Sequence, residues 1–576
     1  MAATFDFEDG LKMIEELTTN SEQTQEQVLG QILKTNAGTQ YLSPYLNGKT
    51  DKELFKTNVP IVTYEDIKPY INRIANGNTS NILSTESVTE FHRSSGTSGG
   101  QPKLIPATAD VSNLRTLFFT LLTSVAKKHF GNIDQEGKRL EFMFTKPDTE
   151  TPSGLKARSS STSFYKDDAF TNIISKLYIS PLEAIFCSDT NQSMYCQLLI
   201  GLIRRDEVVT LGSVFASVVL RAIKFLEDYW KEFCSNIRSG QISDWITDSG
   251  CRNALSLVMK PDPQLADSIQ NICNCKSWEG IIKKLWPKAK LISAISTGVM
   301  LQYVETLKFY GGGLPLVSGF YACSEAFCGI NLEPLTEPSH VSFTFVPNMA
   351  YFEFLPINKD NPTMSPVDTE PVDLVHVKLD HYYELLVTSY AGLYRYKVGD
   401  VLKVTGFHNS TPQFKFVERQ NVILSVDTDK TSEEDLLKAV TDAKILLDPL
   451  GFMLKGYTSY ADTSLIPGHY VFFWELKEKE GNDGQVLDPK IMGDCCYRME
   501  ESLGYIYRSN RKQNAIAALE IRVVKQGSFD ALMDYYVSRG ASMTQYKSPS
   551  CIISQEAFNI LDSKVMAKFF SPKIPM

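Results

Sequence analysis

The sequence predicts an α/β protein: a large mixed α/β N-terminal domain over residues 1–425 and a smaller α+β C-terminal domain over 426–576. Three observations carry this. The chain has 576 residues, enough for more than one buried core. Helical and strand-like apolar patterns alternate along most of it instead of running in separate blocks. The composition changes near residue 425, where a strand-rich stretch gives way to SVDTDK and then to a new helical run.

Taken in order, Leu11, Ile14 and Leu17 fall on one face of a helix from Phe7 to Leu17. It is the first of two between about 8 and 35, broken at Thr18–Ser21. Its early acids and lack of an apolar run do not fit a secretory leader. The short runs FHR and LIP flank a Ser/Gly-rich segment as strands, and a helix spans about 110–129. Residues 193–240 read as helices rich in apolar residues. PLVSGF (315–320), YFEFLP (351–356) and YELLVTSYAGLYRYKVGDVLKVTGF (383–407) read as strands. Beyond a hinge at Glu418–Lys430, Thr431 or Ser432 caps a helix with acids in its first turn. Strands follow at 452–461 and 469–475, and a polar break at 477–485 precedes another helix. A strand at 518–527 leads into a helix over 528–540 that ends at Gly540.

The totals exclude several classes. Lys and Arg number 58 against 67 Asp and Glu, a net charge of −9. An acidic chain without a basic stripe is not built to neutralise nucleic-acid phosphates. No stretch approaches the ~18 apolar residues that would span a bilayer. The 11 cysteines include Cys273-x-Cys275 and Cys495-Cys496 but no paired zinc-ligand spacing. Free thiols in a reducing, cytoplasmic setting are therefore expected. With no oligomer signal, a monomer without nucleic-acid or membrane partners is the expectation.

The sharpest local signal is Ser94-Ser-Gly-Thr-Ser-Gly-Gly-Gln-Pro-Lys103. Successive small residues let backbone N–H groups converge on an anion, and hydroxyls add donors. Lys103 could add charge. Read alone, the segment is either a phosphate cradle or a flexible linker. It is not a Walker loop, because no Gly-Lys-Ser/Thr follows.

Two further segments follow in order: Tyr321-Ala-Cys-Ser-Glu325 and Tyr394-Arg-Tyr-Lys-Val-Gly-Asp400, about 225 and then 75 residues on. The three together resemble the phosphate loop, the Tyr-Gly-x-Thr/Ser-Glu segment and the Tyr-x-x-Gly-Asp segment of the adenylate-forming superfamily. The wording TSYAGLYRYKVGDVLKVTGFHNSTPQFKFVERQN, DTSLIPGHYVFFWEL and QYKSP is similar to the plant Gretchen Hagen 3 family of acyl-acid amido synthetases. That resemblance runs from the first helix to Cys551. It implies the adenylate-forming fold with a mobile small domain. It also implies ATP and Mg²⁺ as cofactors, and an acyl acid and an amino acid as substrates.

The same resemblance implies site residues. Ser94, Ser95, Gly96, Thr97 and Ser98 would cradle phosphates, and Tyr321 would pack on adenine within Tyr321, Ala322, Cys323 and Ser324. Gly298 and Arg419 would join the nucleotide site. Glu325 would hold Mg²⁺, which prefers oxygen ligands. Asp400 would bind the ribose hydroxyls. Lys430 and Lys547 would sit on the small domain. Lys547, with Glu325, would be catalytic, stabilising charge at the α-phosphate. A general base for amine attack is not visible.

Three residues depart from the family pattern. Ala322 stands where glycine is usual, Ser550 where arginine is usual, and Ser389 where asparagine is common. The helix at 110–128 contributes to the acyl pocket in the family, and Leu122 falls where benzoate-type members carry arginine. With Phe119, Val214 and Phe215 it makes an apolar wall suited to an auxin-like indole or aryl acid. The alternatives are a benzoate-type acid, an acyl-CoA ligase, or a non-catalytic nucleotide- or hormone-binding relative.

Overall fold

In a computed structural model the backbone is described for residues 7–78, 81–93, 103–145, 148–357, 370–419, 423–424, 426, 429, 431–464, 467–478, 487–512 and 516–576. Side chains are described for the same residues except 7, 8, 299, 302, 419, 505, 506, 509 and 545.

Every residue of Val208–Phe215 except Val214 is buried, and the run opens with β-branched Val208, Val209 and Thr210. Such a run forms a strand covered on both faces. It pairs in parallel with Lys138–Glu141 and Leu291–Ile295, and Leu316–Val317 completes a four-stranded parallel sheet. This corrects the reading of 193–240 as helices alone, since the strand separates the helices Thr190–Ile203 and Ala216–Ser239. A short unbroken apolar run has no period that distinguishes a buried strand from a buried helix. Both helices bury residues with the sheet in one core that includes Leu199, Leu211, Leu226 and Trp286.

A second, antiparallel sheet has eight strands. Its order is Val372–Asp373, Tyr351–Ile357, Tyr382–Thr388, Tyr396–His408, Thr411–Arg419, Phe343–Phe345, Phe327–Ile330 and Phe320–Ala322. The burst at 383–407 is therefore two strands, broken where Ser389 N donates to Leu393 O at 2.8 Å and Arg395 takes φ +47°. Arg395 is buried and donates to both oxygens of buried Glu353, at 3.1 and 2.9 Å, and to the carbonyls of Lys56 and Val59. The run at 315–320 likewise belongs to two strands in two sheets, Leu316–Val317 and Phe320–Ala322, with Gly319 at the crossing. A smaller sheet holds the hairpin of Glu90–Arg93 and Leu104–Ala107.

The C-terminal sheet has the order Phe452–Asp462, His469–Glu478, Glu520–Val524 and Val565–Phe570. Alternation along His469–Glu478 sends Phe472 and Trp474 toward the helices Glu433–Lys444 and Pro489–Ser502. Val471 and Phe473 go toward Ser528–Ser538 and Gln555–Asp562. Of the two expected caps, Ser432 is the one used: its hydroxyl accepts from Asp435 N at 3.1 Å. Much of the expected hinge, residues 420–422, 425, 427–428 and 430, lies outside the described residues. Among the described residues no helix is long and apolar enough to cross a membrane.

Candidate active site

The carboxyl ends of the three neighbouring parallel strands are Phe215, Ile295 and Val317, with Phe215 and Ile295 in register. Each is followed by small residues: Ala216-Ser217, Ser296-Thr297-Gly298 and Ser318-Gly319. In open α/β sheets this edge is where ligands bind, because the chain leaves the sheet there and opens a crevice. Ser296 is fully buried, and its hydroxyl has no hydrogen-bond partner among the described residues. Gly298 takes φ +59°, and a Cβ there would stand 2.9 Å from the Phe416 ring, so both conformation and space require glycine.

Phe416 connects this edge to the antiparallel sheet. Its ring centroid lies 6.2 Å from that of Tyr321, which also packs near Phe343 and Phe345 at 6.0 and 6.1 Å. Tyr321 is 8% exposed, and its hydroxyl donates to Asp400 Oδ2 at 2.7 Å. Burial, then the charge of Asp400, pushes that hydroxyl well above its usual range, so it stays a donor. The ring expected to pack on adenine is thus set among phenylalanines, while its hydroxyl holds the carboxylate expected to meet ribose. Asp400 follows Gly399, at φ +84°, and pairs across the sheet with Arg419, whose side chain lies outside the described residues.

Tyr321 and Ala322 end one strand of a hairpin whose return strand starts at Phe327. Cys323 N donates to Ala326 O at 2.9 Å, so Ser324 and Glu325 form the tip and are partly buried. Contact with Cys328 and burial drive the Cys323 thiol well above its ordinary value, and the charges of Glu325 and Asp400 add to this. Both carboxylates therefore act on the same point. Ala322 has no positive φ, so its methyl group is unstrained where glycine is usual.

Strand alternation sends Phe320 away from Asp400, toward the helix Ala109–Phe130. Phe119 lies 5.8 Å from Phe320, 5.8 Å from Phe327 and 5.2 Å from Phe164, on which it stacks. Leu122 fits over Gly319, with Cδ1 3.1 Å from where a Cβ would be. Leu122 belongs to the apolar cluster of the antiparallel sheet, and Val214 and Phe215 to that of the parallel sheet. The sequence did not single out Arg115 on the same helix. It is buried, lies 5.3 Å from the Phe164 ring and pairs with Asp167 at 2.5 Å.

From the C-terminal domain, Lys547 brings its ammonium to 5.2 Å from the Phe215 ring centroid. Ser550, where arginine is usual, donates to Glu433 Oε1 at 2.6 Å within its own domain. Ser94, Ser95, Gly96, Thr97, Ser98 and Lys430 lie outside the described residues. The hairpin register brings Arg93 opposite Leu104, joining the two ends of the Ser/Gly segment. Lys103 turns from the segment to donate to Tyr396 Oη at 3.2 Å, with its ammonium 5.6 Å from the Tyr64 ring. Sequence reasoning also missed Phe416, Phe164 and Ser296. Only the small-residue run after the apolar LISAI could have pointed to Ser296.

The chain matches the GH3 family N-terminal domain over residues 10–316, its central domain over 343–419 and its C-terminal domain over 434–556. It is 52% identical to indole-3-acetic acid-amido synthetase GH3.17 of Arabidopsis thaliana, over 99% of this chain and 97% of that protein. It is 50% identical to 4-substituted benzoates-glutamate ligase GH3.12 of the same plant, over 97% and 98%. The solved structure of the AtGH3.15 acyl acid amido synthetase in complex with 2,4-DB has a TM-score of 0.93 at 49% identity, covering 100% of both chains.

Proposed function

The chain belongs to the GH3 family, and on that premise we propose that it is an ATP-dependent acyl-acid amido synthetase. It would activate an auxin-like indole or aryl acid as an acyl-adenylate and join it to an amino acid. One observation carries the reading. A line of neighbours runs from Lys547 over Phe215, across the register to Ile295, along the backbone to Gly298, and from there through Phe416 to Tyr321 and Asp400. A cation of one domain and a carboxylate of the other thus border the carboxyl edge of the parallel sheet.

The chemistry gives each group a task. A carboxylate is a poor electrophile. Attack of its oxygen on the α-phosphorus of ATP expels pyrophosphate and leaves a mixed anhydride. The amine then attacks the acyl carbon, and AMP departs. The first transfer needs positioning and charge neutralisation more than covalent help. Ser94–Ser98 would supply N–H and hydroxyl donors to the phosphates, and Lys547 would meet charge at the α-phosphate. Asp400, held by Tyr321, would accept from ribose. The buried Ser296 hydroxyl fits a polar ligand at this edge. Glu325 offers one carboxylate oxygen donor, which suits Mg²⁺ beside phosphates. When bound, the ion would neutralise phosphate charge.

Closure of the C-terminal domain (426–576) on the N-terminal domain (1–425), about a hinge near Glu418–Lys430, would keep water from the anhydride. The same reading takes a monomer working in the cytoplasm without membrane or nucleic-acid partners. Sedimentation and cell fractionation check those points. The auxin-like preference rests on Leu122 and Phe119. The benzoate-type alternative draws on the 50% identity to the benzoate ligase, against 52% to the indole-3-acetic acid relative.

The test is product analysis. The protein is incubated with ATP, Mg²⁺, one acid from an indole and benzoate panel, and either amino acids or CoA. An indole-acid amide detected by mass spectrometry supports the reading. A CoA thioester, or benzoate amides outrunning indole amides, contradicts its acceptor or its acid class.

A further inference from the structure

Three consecutive residues of the C-terminal domain each meet the N-terminal domain at a different point. Ser217 Oγ donates to the carbonyl of Tyr546 at 3.2 Å. The Lys547 ammonium stands over the Phe215 ring. Tyr303 Oη donates to Ser548 Oγ at 2.7 Å, and both residues are buried. Phe215 and Ser217 bracket the start of the helix Ala216–Ser239, just beyond the carboxyl end of one parallel strand. Tyr303 closes the 3₁₀ turn that opens at Gly298, just beyond the neighbouring strand. The helix start after one strand and the 3₁₀ turn after its neighbour therefore each hold one flank of Lys547.

We propose that Ser217 and Tyr303 are positioning residues that clamp the Tyr546–Ser548 segment and so aim Lys547 for the adenylation half-reaction. The proposal rests on the synthetase reading above. Lysine carries its charge on a flexible four-carbon stem. Its ammonium is reproducibly placed only if the backbone beneath it is fixed, and here a bond on each side of the residue does that. Burial pushes the Tyr303 hydroxyl up to about 12, so it remains a donor at neutral pH. Other contacts between the domains, such as Lys477 Nζ to Tyr310 Oη at 2.5 Å and Arg221 to Asp534 at 2.9 Å, dock the domain as a body. They lie away from the lysine's own backbone in sequence.

If the small domain turns away before the amine attacks, the clamp serves only the first half-reaction, and the two halves respond differently. Tyr303→Phe and Ser217→Ala are each compared with the parent in three measurements. These are acid-dependent pyrophosphate exchange, amide formation from a chemically prepared acyl-adenylate without ATP, and melting temperature. The expected result is a drop in exchange kcat on the order of tenfold with little change in KM for ATP. Discharge of the supplied adenylate should stay within about twofold of the parent. Ser548→Ala should match Tyr303→Phe, and combining them should add nothing, as for two ends of one bond. Both half-reactions falling together with the melting temperature, or exchange left unchanged, overturns the clamp. A parent protein that exchanges with no acid fails earlier, and removes the synthetase reading along with the inference built on it.

Discussion

At the scale of single residues, the candidate site is built from pairs in which one side chain fixes another. Tyr321 holds Asp400 at 2.7 Å inside the protein. Asp400→Asn should raise the ATP KM on the order of tenfold, because a charge-assisted contact to ribose becomes neutral. Tyr321→Phe should weaken nucleotide binding only several-fold, the worth of roughly 1 kcal/mol for one lost hydrogen bond. Calorimetry on both variants checks the order, and an equal loss would mean that the Tyr321 hydroxyl, and not its ring alone, touches the nucleotide. Leu122 lies over Gly319 beside Phe119. Leu122→Arg should move the acid preference away from indole acids toward acids with an extra anionic group, since a buried guanidinium demands a partner. An unchanged acid panel would take Leu122 out of the pocket. Candidates such as Glu325 and Asp400 were conspicuous in the sequence because charged groups at motif spacing are rare. Phe416 and Phe164 were not, since a phenylalanine that faces a site reads the same as one that fills a core.

At the scale of elements, segments bounded by polar breaks or turn residues announced themselves even when buried, as His469–Glu478 and Glu520–Val524 did, and a buried strand set between two apolar helices did not. The helix Phe7–Thr19 follows its apolar stripe, and Ser528–Ser538 stops just before Gly540 at φ +108°. The strand Val208–Phe215 carries no alternation because both its faces are covered, so it merged into the helices on either side. Val565–Phe570 lay beyond the elements read from the sequence altogether. The turn after Leu291–Ile295 joins the two sheets only because Gly298 admits Phe416. Gly298→Ala should cost about 1 kcal/mol or more through positive φ and overlap with the ring. It should also weaken nucleotide binding. Thermal unfolding that matches the parent would show that the turn relaxes freely.

At the scale of the whole molecule, two bodies meet along the crevice, where Met533, Met543 and Tyr546 of the C-terminal domain join the core of the parallel sheet, and each body also has its own sources of stability. In the C-terminal sheet, burial opposes the charge of Glu520. His469 at 2.9 Å and Arg522 at 2.8 Å outweigh it and hold the carboxyl at about 2, down from an ordinary 4.5. A carboxylate depressed in the folded state stabilises the fold above its unfolded pKa. That contribution disappears as the pH falls from about 4.5 toward about 2. Emission from Trp474, buried in the same sheet, should report this loss, and Glu520→Gln should flatten its pH dependence. An identical acid profile in the variant would place the transition elsewhere. The central claim is that the crevice between the two bodies activates an acid on ATP. Exchange of labelled pyrophosphate into ATP, run with a panel of acids and no amino acid, tests it most directly. The account predicts exchange that depends on an indole or aryl acid and falls by roughly 10²–10³ in Lys547→Ala. Protein that is folded and binds ATP, yet exchanges with no acid, would contradict it.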